Sequence, residues 1–279
     1  MTQPFPDATA AADALALLRE RTPLVQSLTN LVSANLLTNV LLAAGATNAV
    51  IDDPHEAGGF ARIADAVLIN LGTPHDEQAA AFTAAAESAR AAGHPWVLDP
   101  VGVGGLPWRT ELAGGLLAHH PTAIRGNAFE ITALAGTAGS GRGVDSASDA
   151  AESVPAARAL LASTDVVSAS GPVDHITGRT ATGEITTVRV HGGSALLPKV
   201  TATGCSLGAL SAAYLAVAPD PLTALVAAHA HFAIAAERAE PRSGGPGTFV
   251  PAFLDALAAV EPADLRAGAR IDLAPTGRR

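Results

Sequence analysis

Small residues lead straight into an apolar run at Thr201-Ala202-Thr203-Gly204-Cys205-Ser206-Leu207. A helix that starts there leaves its first backbone N–H groups unpaired, and such a terminus attracts an anion such as a phosphate oxygen. The same composition also suits an ordinary helix start. Cys205 sharpens the question, because a thiol at a helix N-terminus has a lowered pKa and becomes a candidate base or nucleophile. As a lone cysteine it is otherwise a small buried hydrophobe. A second cluster, Asn127-Ala128-Phe129-Glu130, is by spacing a capping box in which Asn127 caps a helix and Glu130 reaches back. Asp99 and Arg125 also end β-like runs, so two carboxylates and a guanidinium would meet at one edge of a sheet. Carboxylates bind Mg2+, and Arg pairs with phosphate oxygens.

Other signals are weaker or absent. Gly193–Lys199 has Pro198 where a Walker A loop needs Gly, and Gly102-Val103-Gly104-Gly105 lacks the GxGxxG spacing, so neither a P-loop nor a dinucleotide fingerprint is present. His229 and His231 are two apart and point to different helix faces, while His119 and His120 are adjacent; none reads as a metal pair. Asn35 and Asn39, four apart, either present two amides on one helix face or are satisfied buried amides.

The elements that must position these groups alternate. Helical spacing runs from Ala8 to Glu20, and Thr29-Asn30 caps a second helix that stops at Gly45. Short β-like runs follow at 49–51, 66–70, 96–99, 123–125 and 165–168, separated by Ala-rich helical stretches at 79–92, 112–118 and 150–162. This alternation predicts a mainly parallel sheet covered on both faces. After Gly171 the runs 174–177 and 184–190 read as antiparallel strands at the sheet edge, and three helices follow from Leu207, Leu222 and Phe249. No linker divides residues 1–279, so one domain is expected, with a polar tail after Pro262 that frays. Ligands of such sheets sit beyond the carboxyl ends of the strands, which singles out Asp52, Asp53, Asn70, Asp99, Arg125 and Asn127.

Composition narrows the class. Lys plus Arg number 17 against 26 Asp plus Glu, a net charge of −9 that has the wrong sign for clamping nucleic acid. Charged residues are only 15% and the apolar set is 48%, which excludes disorder. The two most apolar segments, 207–218 and 222–236, each fall short of the ~20 residues of a membrane span. A single cysteine allows no internal disulfide, and no basic residue precedes Arg19, so a reducing cytoplasm without an export address is the expected setting.

Six stretches together resemble the hydroxyethylthiazole kinase family. They are Pro23-Leu24-Val25-Gln26-Ser27-Leu28-Thr29-Asn30, Leu68-Ile69-Asn70-Leu71-Gly72-Thr73, Leu98-Asp99-Pro100-Val101-Gly102-Val103-Gly104, Ile124-Arg125-Gly126-Asn127-Ala128-Phe129-Glu130, Ala202-Thr203-Gly204-Cys205 and Ser243-Gly244-Gly245-Pro246-Gly247-Thr248-Phe249. They stand in the family's order across nearly the whole chain. Cys205 separates this family from most ribokinase-like relatives, which have Asp there.

The resemblance implies a three-layer α/β/α ribokinase-like fold that transfers the γ-phosphoryl of ATP, with Mg2+, to the primary alcohol of 4-methyl-5-(2-hydroxyethyl)thiazole in thiamine salvage. It implies that Arg125 and Ser170 contact the nucleotide, that Asp99 and Glu130 hold the metal directly or through water, and that Ala202, Thr203 and Gly204 supply an anion hole with Cys205 beside the substrate hydroxyl. The thiazole would lie near Asn30 and Val50, in a pocket shared between subunits of a homotrimer. A kinase of hydroxymethylpyrimidine or pyridoxal, a nucleotide-hydrate dehydratase, and a nucleotide-binding regulator without catalysis are the alternatives. Phe129, Val50, the segment 168–172 and Ala202 depart from the family's pattern, and Ala202 matters if its position needs a positive φ.

Overall fold

The computed structural model describes residues 5–136 and 149–275. In chain order the elements are α1 (Ala8–Arg21), β1 (Leu24–Leu28), α2 (Leu31–Ala44), β2 (Thr47–Val50), α3 (Ala57–Phe60), β3 (Ala66–Asn70), α4 (Asp76–Ala92), β4 (Trp96–Asp99), α5 (Pro107–Leu117), β5 (Ala123–Asn127) and α6 (Ala128–Leu134). They continue as α7 (Val154–Leu160), β6 (Val166–Ser170), β7 (Val173–Arg179), β8 (Ile185–His191), α8 (Thr203–Leu215), α9 (Pro221–Ala239), α10 (Pro246–Ala259), α11 (Pro262–Gly268) and β9 (Arg270–Leu273). Among the described residues the nine strands form one sheet in the order β2-β1-β3-β4-β5-β6-β7-β8-β9. β2 through β6 run parallel, and β6 through β9 are antiparallel neighbours, as the change of pattern after Gly171 predicted.

Helices cover both faces, and the strand period of two divides the apolar residues between them. Val25, Leu68, Val97, Ala123 and Val166 face a core shared with α1, α2, α8, α9 and α10, while Val67, Ile69, Leu98, Ile124 and Val167 face a second core built with α4 to α7. Extending each strand by one period puts Asn70, Asp99, Arg125, Ser168 and Ser170 on the first face, the side that α8 covers. Ala supplies much of both cores, and its small side chain lets the helices lie close to the sheet.

Local signals explain the boundaries. Asp7, Asn30 and Asp220 accept backbone N–H bonds at the starts of α1, α2 and α9, and Asn127 with Glu130 forms the expected capping box of α6. The helix expected over 150–162 is instead a 3₁₀ turn at Ala150–Ser153 followed by α7, because Pro155 lacks the N–H that would continue it. As far as residue 275 the segment after Pro262 is folded. Glu261 and Asp264 cap α11 reciprocally, and β9 then pairs with β8, where Arg189 binds Asp272 through Nε at 2.6 Å and Nη2 at 2.9 Å. Residues 276–279 lie outside the described residues. No described helix is long and apolar enough to cross a membrane.

Candidate active site

The carboxyl ends of β1, β3, β4, β5 and β6 bring a row of polar residues to one edge of the sheet. Asn70 and Asp99 are register partners, as are Asn127 and Ser170, so the row follows directly from strand pairing. Asp99 is fully buried; its Oδ2 accepts from Asn70 Nδ2 at 2.8 Å, and its Oδ1 has no hydrogen-bond partner. Arg125 approaches that free oxygen with Nη1 at 3.8 Å, and its Nη2 donates to Ser170 Oγ at 3.0 Å. Glu130 is nearly buried, with Oε1 accepting the Gly102 N–H at 3.0 Å and Oε2 the Asn127 N–H at 2.9 Å.

α8 enters this edge with its N-terminus. A Cβ at Gly204 would stand 2.8 Å from Arg125 Nη1, and one at Gly208 3.1 Å from Asp99 Oδ2. Only glycine lets the helix come this near the guanidinium and the carboxylate. Ala202 precedes the helix at φ 69° and offers no capping side chain, so this position does need the left-handed conformation, at a steric cost of about 1–2 kcal/mol for a residue with a Cβ. Thr203 Oγ1 donates back to the carbonyls of Leu197 and Val200, which leaves only its backbone N–H for a ligand. Strain at the entry and an uncapped first turn are features of a terminus kept open for an anion.

Cys205 does not have the lowered pKa expected of its helix position. Burial pushes the thiol up to about 11, the Asp99 charge adds to the rise, and Asn70, Arg125 and Ser33 only partly oppose it. Asp99 is itself raised to about 6, chiefly by burial, against the pull of Arg125, with Glu130 adding repulsion.

Asn30 lies on the same edge: Oδ1 caps α2 through the Ser33 N–H, and Nδ2 donates to Asn70 Oδ1 at 3.2 Å. Val50 ends β2, two strands away from Asn70, and is more than a third exposed. Asn39 Nδ2 donates to the Asn35 carbonyl within α2, Asp52 is held by Gln78 Nε2, and Asp53 pairs with His55, so these groups serve the fold. Phe129 packs beside Gly104, where a Cβ would meet its ring at 2.9 Å. The residue that sequence reasoning undervalued is Asn70. It donates to Asp99, accepts from Asn30 and from the Gly72 N–H, and opposes the rise of the Cys205 pKa. Its signal was present, since it ends a buried strand in phase with Leu68. Among the described residues no three His, Cys, Asp or Glu side chains gather as a metal site, so Asp99 and Glu130 are the acidic pair available.

The sequence profile of the Hydroxyethylthiazole kinase family matches residues 15–263. The hydroxyethylthiazole kinase of Rhodococcus erythropolis (strain PR4 / NBRC 100887) is 64% identical over 94% of this chain and 93% of its own length, and that of Kineococcus radiotolerans is 52% identical over 97% and 96%. The solved structure of a hydroxyethylthiazole kinase protein from Pyrococcus horikoshii OT3 superposes with a TM-score of 0.85 at 34% identity, covering 95% of this chain and 99% of that one. A pyridoxal kinase from Staphylococcus aureus, solved with AMP-PCP and pyridoxal, has a TM-score of 0.63 at 15% identity over 90% and 98%, a likeness of fold alone.

The Asp99 environment gives a stability prediction. Its folded pKa lies above the ordinary 3.8, so the folded chain binds the proton more tightly; the stability this contributes is fully present below about pH 3.8 and is lost as pH rises through about 6. Asp99→Asn, melted in chelator, should therefore be more stable than wild type at pH 7 by ~2–3 kcal/mol and show no gain at pH 3.5. Destabilisation at pH 7 that fades toward pH 3.5 would mean that the carboxylate is well paired after all.

Proposed function

The chain belongs to the hydroxyethylthiazole kinase family and is a kinase, and we propose that it transfers the γ-phosphoryl of ATP to the primary alcohol of 4-methyl-5-(2-hydroxyethyl)thiazole, a thiamine salvage step. One observation carries the site assignment: the Arg125 guanidinium is held between Asp99 and Ser170 under the Gly204 turn of α8, with Cys205 alongside. A fixed guanidinium beside open backbone N–H groups is what the equatorial oxygens of a transferring phosphoryl require.

In this reading Arg125 and Ser170 hold the nucleotide, and the backbone of Ala202, Thr203 and Gly204 receives the phosphoryl oxygens. The residues also fit Mg2+. Asp99 Oδ1 is a buried oxygen without a hydrogen-bond partner, and two carboxylates face one guanidinium, so the pocket has a surplus of negative charge. Asp99 would hold the ion, with Glu130, whose oxygens already accept two backbone N–H groups, acting through water. When bound, Mg2+ neutralises charge on the phosphates. Cys205 contacts the substrate hydroxyl as a thiol, because its raised pKa leaves it protonated at neutral pH. In a loose transition state the alcohol proton leaves late, and positioning outweighs base strength.

Asn30 and Val50 receive the thiazole, and we assign the chain as one domain, a homotrimer whose subunits share this pocket. The support is local: Leu31 is 97% exposed and Val32 61%, directly after Asn30, and Leu42 and Val50 lie open on the same edge element and helix. Apolar side chains this exposed beside a substrate pocket suit burial by a second copy. The free, part-buried Cys205 suits a reducing cytoplasm.

Three measurements test this reading. ATP consumption over a panel of the thiazole alcohol, hydroxymethylpyrimidine and pyridoxal should be Mg2+-dependent and favour the thiazole; equal or better turnover of pyridoxal would remove the substrate assignment. Light scattering at assay concentration should report three chains, and a fully active monomer would contradict the shared pocket. Cys205→Ala should lower kcat by no more than about tenfold, below the ~10²–10⁴ of a true general base. A loss beyond ~10², with chemistry shown to be rate-limiting, would restore the base role.

A further inference from the structure

His229 lies on α9 with its side chain fully buried, and its Nδ1 stands 2.7 Å from Asp174 Oδ2. A carboxylate only accepts, so Nδ1 carries the hydrogen. The other oxygen of Asp174, Oδ1, accepts the N–H of Gly171 at 2.9 Å. Gly171 follows Ser170 directly at the exposed turn between β6 and β7, and Ser170 Oγ is the acceptor of Arg125 Nη2. An unbroken run of contacts thus leads from α9 through the turn to the guanidinium of the active site.

The pair resembles a catalytic dyad in composition only. The imidazole is enclosed, and its Nε2 is buried without a hydrogen-bond partner, so it has no access to an incoming substrate. Its reach ends at Asp174 and the turn that Asp174 ties down. That turn needs a tether, because Gly171 and Pro172 are exposed, and a partly exposed carboxylate without its buried partner would swing toward water and release the Gly171 N–H.

We propose that His229 is a positioning residue for the nucleotide side of the reaction: it fixes Asp174, Asp174 fixes the β6–β7 turn, and the turn fixes the Ser170 hydroxyl that orients Arg125. This rests on the reading of Ser170 and Arg125 as the nucleotide contacts. The thiazole side, at Asn30 and Val50, is removed from this run, with Asn70 and Asp99 standing between Asn30 and Arg125. The consequence is selective, with the effect confined to one of two substrates.

His229→Leu should raise KM for ATP roughly three- to tenfold, the worth of one hydrogen bond, and leave KM for the alcohol within about twofold. His229→Asn, whose Nδ2 can donate where Nδ1 did, should return KM for ATP to within about twofold of wild type. If the single Leu variant does not fold, His229→Leu combined with Asp174→Val removes both partners of the buried pair, an exchange that folded proteins often tolerate, and the same rise for ATP is expected. An unchanged KM for ATP in a folded variant, or an equal rise for both substrates, would overturn the proposal. Turnover of ATP by wild type in the same assay keeps a failure of the kinase reading distinct from a failure of this one.

Discussion

Asp99 holds a carboxylate where water cannot reach it, and the arrangement of the surrounding edge follows from that constraint. An isolated buried charge is strongly unfavourable unless it is paired and hydrogen-bonded. Here one oxygen is satisfied by Asn70, while the other is left to Arg125 at 3.8 Å, too long for a hydrogen bond and short enough for attraction. The site is therefore built incomplete. The glycines of α8 belong to the same constraint: Gly204 and Gly208 are four apart on one face, one lying under the guanidinium and the other under the carboxylate. With side chains there the helix would stand off from the sheet edge, and its first N–H groups would leave the row that the strands assemble.

The edge has two unlike halves joined by Asn70. On the β5 and β6 side every group is polar and anchored from behind, with Glu130 held by backbone N–H groups and Ser170 held next to a tied turn. On the β1 and β2 side the anchoring is tighter still at Asn30, where a Cβ on Gly72 would fall 2.0 Å from Asn30 Nδ2, yet the neighbouring surface is open and apolar. Rigid polar groups suit a ligand recognised by its charge, and an open apolar rim suits one recognised by shape. Asn70 touches both halves through Asp99 and Asn30, so its amide fixes the spacing of the two halves in one strand register.

Much of this was legible in the sequence because it rests on local rules. Alternating apolar runs and Ala-rich stretches pointed to the mainly parallel sheet, and Asn127-Ala128-Phe129-Glu130 formed the capping box that its spacing predicted. The sheet edge gathered Asp99 and Arg125 because strands of this kind end at a common line, whereas Ser170 came only from the family resemblance. What escaped was nonlocal. β9 is short and half polar, and it becomes a strand because Asp272 meets Arg189 across 83 residues. The link from His229 to Ser170 likewise spans the chain, through a histidine that the sequence offered only as a failed metal pair.

Cys205 shows where a local rule gives the wrong sign. Position alone places a thiol at a helix N-terminus, which favours the thiolate by a partial charge of about half a unit. The fold adds burial and a full negative charge on Asp99, and both favour the thiol. A full charge and a desolvated sulfur outweigh a half charge, and the pKa rises instead of falling. The same two influences raise Asp99, so the two groups lie in one field in which each added negative charge makes the next harder to form. A neutral Cys205 therefore leaves the negative charge of the site to Asp99 and Glu130, set against the Arg125 guanidinium.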